Sequence, residues 1–181
     1  MCVYRRFTAL LHDEAMEKSA IAKLRILVAD PSAYMAGLAA SLLRGIGIKS
    51  VTEVTDSGAA QIAFSRQRYN AIVIDAALAP LDGVALTRAI RANPDSPNRD
   101  TTIILVFSEI SQAELIRARD AGVTEFIRKP MSASILDLRL RATLANPRDF
   151  VTAPTYAGPD RRRRAVNVKG HNRRKSPQPA P

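Results

Sequence analysis

The chain is short of the residues that build disulfides and metal centres. It has one cysteine, Cys2, and two histidines, His12 and His171, near opposite ends. One thiol makes no disulfide framework, and two distant histidines offer no zinc site. There is no apolar run long enough to span a bilayer, so stable membrane insertion is not expected. The opening stretch MCVYRRFTALLHDEAMEKSA has a short apolar patch, but Asp13, Glu14 and Glu17 follow it, which suits neither a signal peptide nor a transit peptide. These absences favour a cytoplasmic protein. Residues 1–22 read as a flexible extension in which Tyr4, Phe7 and Leu11 share one helical face, with Met16 as an alternative start.

What is present divides into two parts. The 181 residues are 46% apolar, enough for one domain with a real core plus extensions. The net charge of +10 is uneven: residues 147–181 carry nine Lys/Arg against two Asp, and six of the eleven prolines. That segment has few large aliphatics and cannot bury enough surface to fold alone. The expected division is a flexible extension at 1–22, a folded domain at 23–146, and a basic, Pro/Arg-rich tail at 147–181, disordered or ordered by a ligand.

Within the domain, strand and helix patterns alternate. LRILVA (24–29) is a short apolar run, read as a buried strand. Leu38, Ala39, Leu42, Leu43 and Ile46 share a helical face that Gly45 and Gly47 end. VTEVT (51–55) alternates like a strand, and Ser57 is positioned to cap a helix holding Ile62, Ala63 and Phe64. AIVID (71–75) is a strand, and Asp82-Gly83 opens a helix to Ala92. NPDSPN is a loop, and TTIILVF (101–107) is a very apolar strand. Ser111-x-x-Glu114 is a capping box for a helix ending at Gly122. EFI (125–127) is a short strand, and Ser132 starts a last helix with Ile135, Leu136, Leu138 and Leu140. Five strands alternating with five helices predict a parallel sheet covered on both faces.

Polar residues then stand at strand C-termini: Asp30, Asp75, Ser108 and Lys129. Open parallel sheets bind ligands at that edge, near the topological switch point. Two carboxylates there suit Mg²⁺, which prefers oxygen ligands and keeps several waters. A lysine there suits an added phosphoryl group. Each residue alone would be an ordinary strand-end polar group; their collection at one edge is harder to obtain by chance.

The stretches ILVADPSAYM, AIVIDAALAPLDG, ILVFSEIS and AGVTEFIRKPM together resemble the CheY-like receiver domain of two-component response regulators, over about 24–145. The resemblance implies a flavodoxin-like (βα)5 doubly wound sheet of order 2-1-3-4-5. It implies that Asp75 accepts a phosphoryl group from a histidine kinase or phosphotransfer protein. It gives Asp30, Asp75 and the backbone carbonyl of Ala77 to Mg²⁺, and Lys129 to the phosphoryl group, with a cis bond before Pro130. Phe126 matches the aromatic position that rotates on activation. Such a protein is a switch rather than an enzyme. Two positions depart from the pattern. Pro31 stands where the family has a second acid, and Phe107 stands where it has Thr or Ser. A local shift of one residue would put Ser108 in place of that hydroxyl as a weak phosphoryl contact.

No DNA-binding or enzyme domain follows residue 146 in this sequence, so output falls to protein contact or to the tail. Arginine stays charged, stacks on aromatic rings, and pairs bidentately with phosphate and with guanine O6 and N7. An aspartate suits the N1 and N2 donors of guanine. Tyr156, a Gly-Pro-Asp turn ending in Asp160, and Arg161, Arg162, Arg163 and Arg164, with Arg173 and Arg174 further on, therefore suit a guanine nucleotide with several phosphates. The order Tyr-x-Gly-Pro-Asp-Arg-Arg looks like the extension of those CheY-like proteins that bind cyclic di-GMP and contact the flagellar motor. Nonspecific contact with a polyanion or acidic protein, and a solvated tail with no ligand, stand beside that reading. For the whole chain the readings are a phosphate-gated switch, a nucleotide-gated adaptor and a degenerate pseudo-receiver.

Overall fold

The protein is described from a computed structural model, over residues 19–161. Five strands, β1 (Arg25–Ala29), β2 (Ser50–Val54), β3 (Ala71–Asp75), β4 (Thr102–Phe107) and β5 (Glu125–Arg128), form one parallel sheet in the order β2-β1-β3-β4-β5. This is the doubly wound flavodoxin-like arrangement. The helices between and after them are α1 (Ala33–Gly45), α2 (Ser57–Arg66), α3 (Gly83–Ala92), α4 (Gln112–Asp120) and α5 (Ala133–Ala145).

Alternating strand residues feed two separate cores, as the period of two requires. Ile26, Val28, Val73, Ile104 and Val106 face α1 and α5, meeting Ala36, Ala39, Leu43, Leu136 and Leu140. Leu27, Ile72, Ile74, Ile103 and Leu105 face the other way, toward Ala60, Phe64, Leu86, Ile90 and Ala118 of α2, α3 and α4. All five residues of β3 are buried, which is why AIVID shows no polar alternation until its last residue.

Helix starts follow side-chain chemistry. Asp82 accepts from the Ala85 amide, Ser132 from Ile135, and Ser111 and Glu114 form the reciprocal capping box. At α2 the cap is Asp56, which accepts from Ala59, rather than the expected Ser57. The Ser57 hydroxyl instead accepts from the Leu81 amide, tying α2 to the loop after β3. The apolar faces also sit differently from their spacing. Leu38, Ile62, Ile135 and Leu138 are exposed, and α1 buries Ala36, Ala39, Ala40 and Leu43 instead.

Two boundaries differ from expectation. Ile21, inside the stretch read as a flexible extension, packs against the α1–α5 core. At the other end, the folded unit runs past residue 146 through Arg161. Strands β6 (Phe150–Ala153) and β7 (Tyr156–Pro159) form an antiparallel hairpin. Gly158 and Pro159 lie buried in β7 rather than in a turn. The part of the basic segment that is described, residues 147–161, does not fold alone: it packs on the domain. Two guanidinium groups lie over the Phe150 ring, those of Arg99 (5.1 Å) and Arg91 (5.9 Å).

Arg91 is 2% exposed. It donates to the carbonyl oxygens of Gly122 (3.1 Å) and Arg99, and to Thr124 Oγ1 (3.4 Å). Burial lowers its pKa to about 10, against the opposing charges of Tyr156 and Asp100. It therefore remains a cation at neutral pH, spread over backbone acceptors.

Candidate functional site

The site forms where β1 and β3 diverge in chain order, at the carboxyl edge of the sheet. Asp30 directly follows β1 and Asp75 ends β3; both are buried. Lys129 follows β5, and its amide donates to the Phe107 carbonyl at 2.8 Å, which carries the sheet's register to the edge. The Lys129–Pro130 peptide is cis, as the resemblance implies.

Lys129 Nζ bridges the two acids, 2.9 Å from Asp30 Oδ2 and 2.6 Å from Asp75 Oδ2. The remaining oxygens are also occupied. Asp30 Oδ1 accepts from the Ser32 amide at 2.9 Å, and Asp75 Oδ1 from the Ala77 amide at 2.7 Å. Partial burial by itself would lower the Lys129 pKa. The hydrogen bonds and charges of Asp75 and Asp30 outweigh it together and hold the ammonium above its ordinary value. The carboxylate pair thus already confines one cation. Two hard oxygen donors within reach of one point, with a backbone carbonyl at Ala77 nearby in sequence, are chemically suited to a divalent ion that keeps its waters. Among the described residues no cluster of three or more His, Cys, Asp or Glu side chains forms a metal site. Pro31, next to Asp30 in the chain, is exposed and brings no carboxylate to this edge.

β4 runs in register through Phe107, which pairs with Arg128. No local shift brings Ser108 inward; it is exposed beyond the strand end. The Phe107 ring meets Phe126 edge to face, with centroids 6.5 Å apart. Lys129, Asp30 and Asp75 are thus brought together, while the hydroxyl contact expected from Ser108 is absent from this arrangement.

Of the tail residues, Tyr156, Asp160 and Arg161 are described; Arg162, Arg163, Arg164, Arg173 and Arg174 lie outside the described residues. The Tyr156 hydroxyl donates to the Pro159 carbonyl at 2.6 Å. The Arg161 guanidinium covers the Tyr156 ring at 3.8 Å and reaches Asp120 Oδ1 at 3.2 Å. The Asp160 amide donates to the Asp149 carbonyl, closing the hairpin. Tyr156 is therefore not a bare stacking platform, since its own chain already stacks on it. A cavity of about 330 Å³ opens beside it, lined among others by Arg119, Arg148, Arg161, Tyr156 and Phe126. Arg119 and Arg148 were not singled out from the sequence. Only their placement in space, on α4 and before β6, marks them.

The comparisons agree with this geometry. Residues 26–141 match the response regulator receiver domain. The chain belongs to the response regulator receiver domain family. It is a CheY-like receiver, a fold and class that place it in two-component signalling. Chemotaxis protein CheY of Pseudomonas aeruginosa is 27% identical over 113 residues, 62% of this chain and 90% of that protein. CheY-3 of Vibrio cholerae is 26% identical over 117 residues, 65% and 88% of the two chains. Among solved structures, the receiver domain of a sensor histidine kinase from P. aeruginosa PAO1 superimposes with a TM-score of 0.61 at 29% identity. It covers 68% of this chain and 98% of that one, and was solved with a magnesium ion coordinated in its active-site cleft. A Francisella response regulator receiver domain gives 0.60 at 25% identity over the same shares. No helix among the described residues is long and apolar enough to cross a membrane.

Proposed function

We propose that the protein is a response regulator whose phosphoryl acceptor is Asp75, charged in the cytoplasm by a histidine kinase or phosphotransfer protein. The observation that carries this reading is the Lys129 ammonium held between Asp30 and Asp75 at 2.9 and 2.6 Å. In the transfer, an Asp75 carboxylate oxygen forms a bond to phosphorus as the bond from phosphorus to the donor histidine breaks. The new group brings negative charge to an edge that already holds two acids. Lys129 is placed to follow that charge, releasing Asp75 Oδ2 and pairing with a phosphoryl oxygen while Asp30 keeps it near. Mg²⁺ held by Asp30, Asp75 and the Ala77 carbonyl would offset further charge on the phosphoryl oxygens. With Pro31 in place of an acid, that ion is held weakly. With Phe107 in place of a hydroxyl, the phosphoryl group loses one contact. The test is exposure to a small phosphodonor with Mg²⁺. An acid-stable, base-labile mass gain of one phosphoryl group, absent from Asp75→Asn, is expected. No gain in the wild type would leave the degenerate pseudo-receiver.

A second reading attaches to the hairpin. Three arginines and a tyrosine around one cavity favour an anionic ligand with aromatic rings, and cyclic di-GMP fits the tail's order of residues. In that case a ring would displace Arg161 from Tyr156 or use the ring's other face, and the ligand-bearing surface would meet an output protein such as a flagellar motor component. Titration calorimetry with cyclic di-GMP, with GTP as control at physiological salt, separates this from a nonspecific polyanion contact. Specific binding keeps its preference as salt rises, and counterion release does not.

A further inference from the structure

The hairpin is attached to the same segment that carries Phe126. Thr124, two residues before Phe126, accepts from Arg91, which stacks against Phe150 of β6. Glu125, its immediate neighbour, accepts from Arg148 at 2.7 Å and from Arg139 at 3.2 Å. Gly122, at the turn into β5, lies against β7: a Cβ there would fall 2.8 Å from the Ala157 carbonyl oxygen. Phe126 itself is half-buried, with its ring steeply inclined to that of Phe107 and its side chain lining the cavity that Tyr156, Pro159 and Arg161 also line. The chain then reaches Lys129 three residues later. One short run, 122–129, thus bears the hairpin's seat at one end and the acid-bound lysine at the other.

We propose that Phe126 and the β6–β7 hairpin form one coupled unit, in which the position of the Phe126 ring in the shared cavity and the Tyr156–Arg161 stack change together. Through this unit the state of Asp75 and Lys129 reaches Arg161, and with it the start of the basic segment. The cavity is large enough to receive a side chain, and its walls come from both partners, so a ring moving into it alters the surroundings of Tyr156. The pair Arg161–Tyr156 is in turn held by Asp120 at the end of α4, so its release loosens β7 from the domain. The link to Asp75 rests on the phosphoryl-acceptor reading; the coupling of ring and hairpin does not.

The experiment uses the full chain and NMR of labelled phenylalanine and arginine. Tyr156→Ala is expected to at least double the minor χ1 rotamer population of Phe126, and Tyr156→Phe, which keeps the ring, to restore the wild-type distribution. Val151→Ala, at an exposed hairpin position, is the control for nonspecific loosening. An unchanged Phe126 in Tyr156→Ala, or an equal change in Val151→Ala, overturns the coupling. A second arm adds beryllofluoride and Mg²⁺. The Ala77 amide and the Arg161 side chain are expected to shift together in the wild type, and Phe126→Ala to keep the first shift and lose most of the second. An Arg161 shift that survives in Phe126→Ala overturns the route through Phe126. A silent Ala77 overturns the phosphoryl-acceptor reading instead, and the first arm then decides the coupling on its own.

Discussion

Gly158 and Gly122 meet backbone to backbone: a Cβ on Gly158 would lie 2.8 Å from the Gly122 Cα and 2.7 Å from the Tyr156 hydroxyl. Two strands of four residues each have little surface to hold them to a domain, and this contact brings them close. Gly122 also has φ +94°, which a side chain rarely tolerates, so the pair is fixed for two independent reasons.

Gly158→Val is therefore expected to cost about 1–3 kcal/mol, the range for overpacking a tight contact. The loss should be local. Hydrogen exchange at the amides of 156–158 should speed markedly, while Ile72 and Leu105 in the central strands keep their protection. Uniform loss of protection would mean that the hairpin is an integral part of the core rather than a docked element.

Arg91→Lys tests the other anchor. The guanidinium serves two carbonyls and a threonine hydroxyl at once from a buried position, and a lysine ammonium cannot reach all three. Leaving buried acceptors unpaired is expected to cost about 2 kcal/mol. Denaturant midpoints should fall accordingly, with exchange at 150–153 rising in parallel because Phe150 loses one of its two guanidinium partners.

The difference between what was readable and what was not follows from these contacts. β1, β3 and β4 announce themselves as aliphatic runs, since both faces are covered, and Asp30 and Asp75 are conspicuous as the first acids at the ends of β1 and β3, whereas Lys129 comes after Arg128 at the end of the short β5. The hairpin gave no such signal. Its β6 is largely exposed, and its binding energy comes from Arg91, Arg99 and Gly122, about thirty to sixty residues earlier in the chain. Arg91 looks from its neighbours like a solvent-facing residue late in a helix; only the fold shows that it is buried. Leu38 and Leu138 misled in the opposite direction, because apolar spacing fixes the width of a helical stripe but not which edge of it touches the sheet.

Lys129→Met removes the cation from between two buried carboxylates and is expected to destabilise the fold by about 3 kcal/mol at neutral pH, since breaking a buried pair leaves charge uncompensated. The pH dependence has a definite sign. The Lys129 pKa is raised in the folded state, so its contribution is fully present below the ordinary lysine value of 10.5 and is lost as pH rises through the higher folded value. The stability gap between wild type and Lys129→Met should therefore narrow in strongly alkaline solution. Denaturant midpoints at neutral and alkaline pH check this; a gap that widens with pH would show that the lysine is not held by the acids.

Pro31→Asp restores a carboxylate beside Asp30 at a position that precedes the α1 cap, Ser32, and is exposed, so the helix need not rearrange. One added negative charge near a divalent ion, even in a largely solvated setting, is worth more than about 1.4 kcal/mol, a tenfold change in affinity. Mg²⁺ titration followed by NMR shifts of the Ser32 and Ala77 amides should show at least that tightening. The two amides are apt reporters because each already donates to one of the acids, at 2.9 and 2.7 Å. The same substitution should leave the Lys129–Asp75 contact in place in the absence of metal, since the lysine bonds the far oxygens of both acids. If Pro31→Asp binds Mg²⁺ no better than the wild type, then the weak point of the site is not the missing acid but the lysine already seated between the other two. Lys129→Ala would then be the variant that gains affinity.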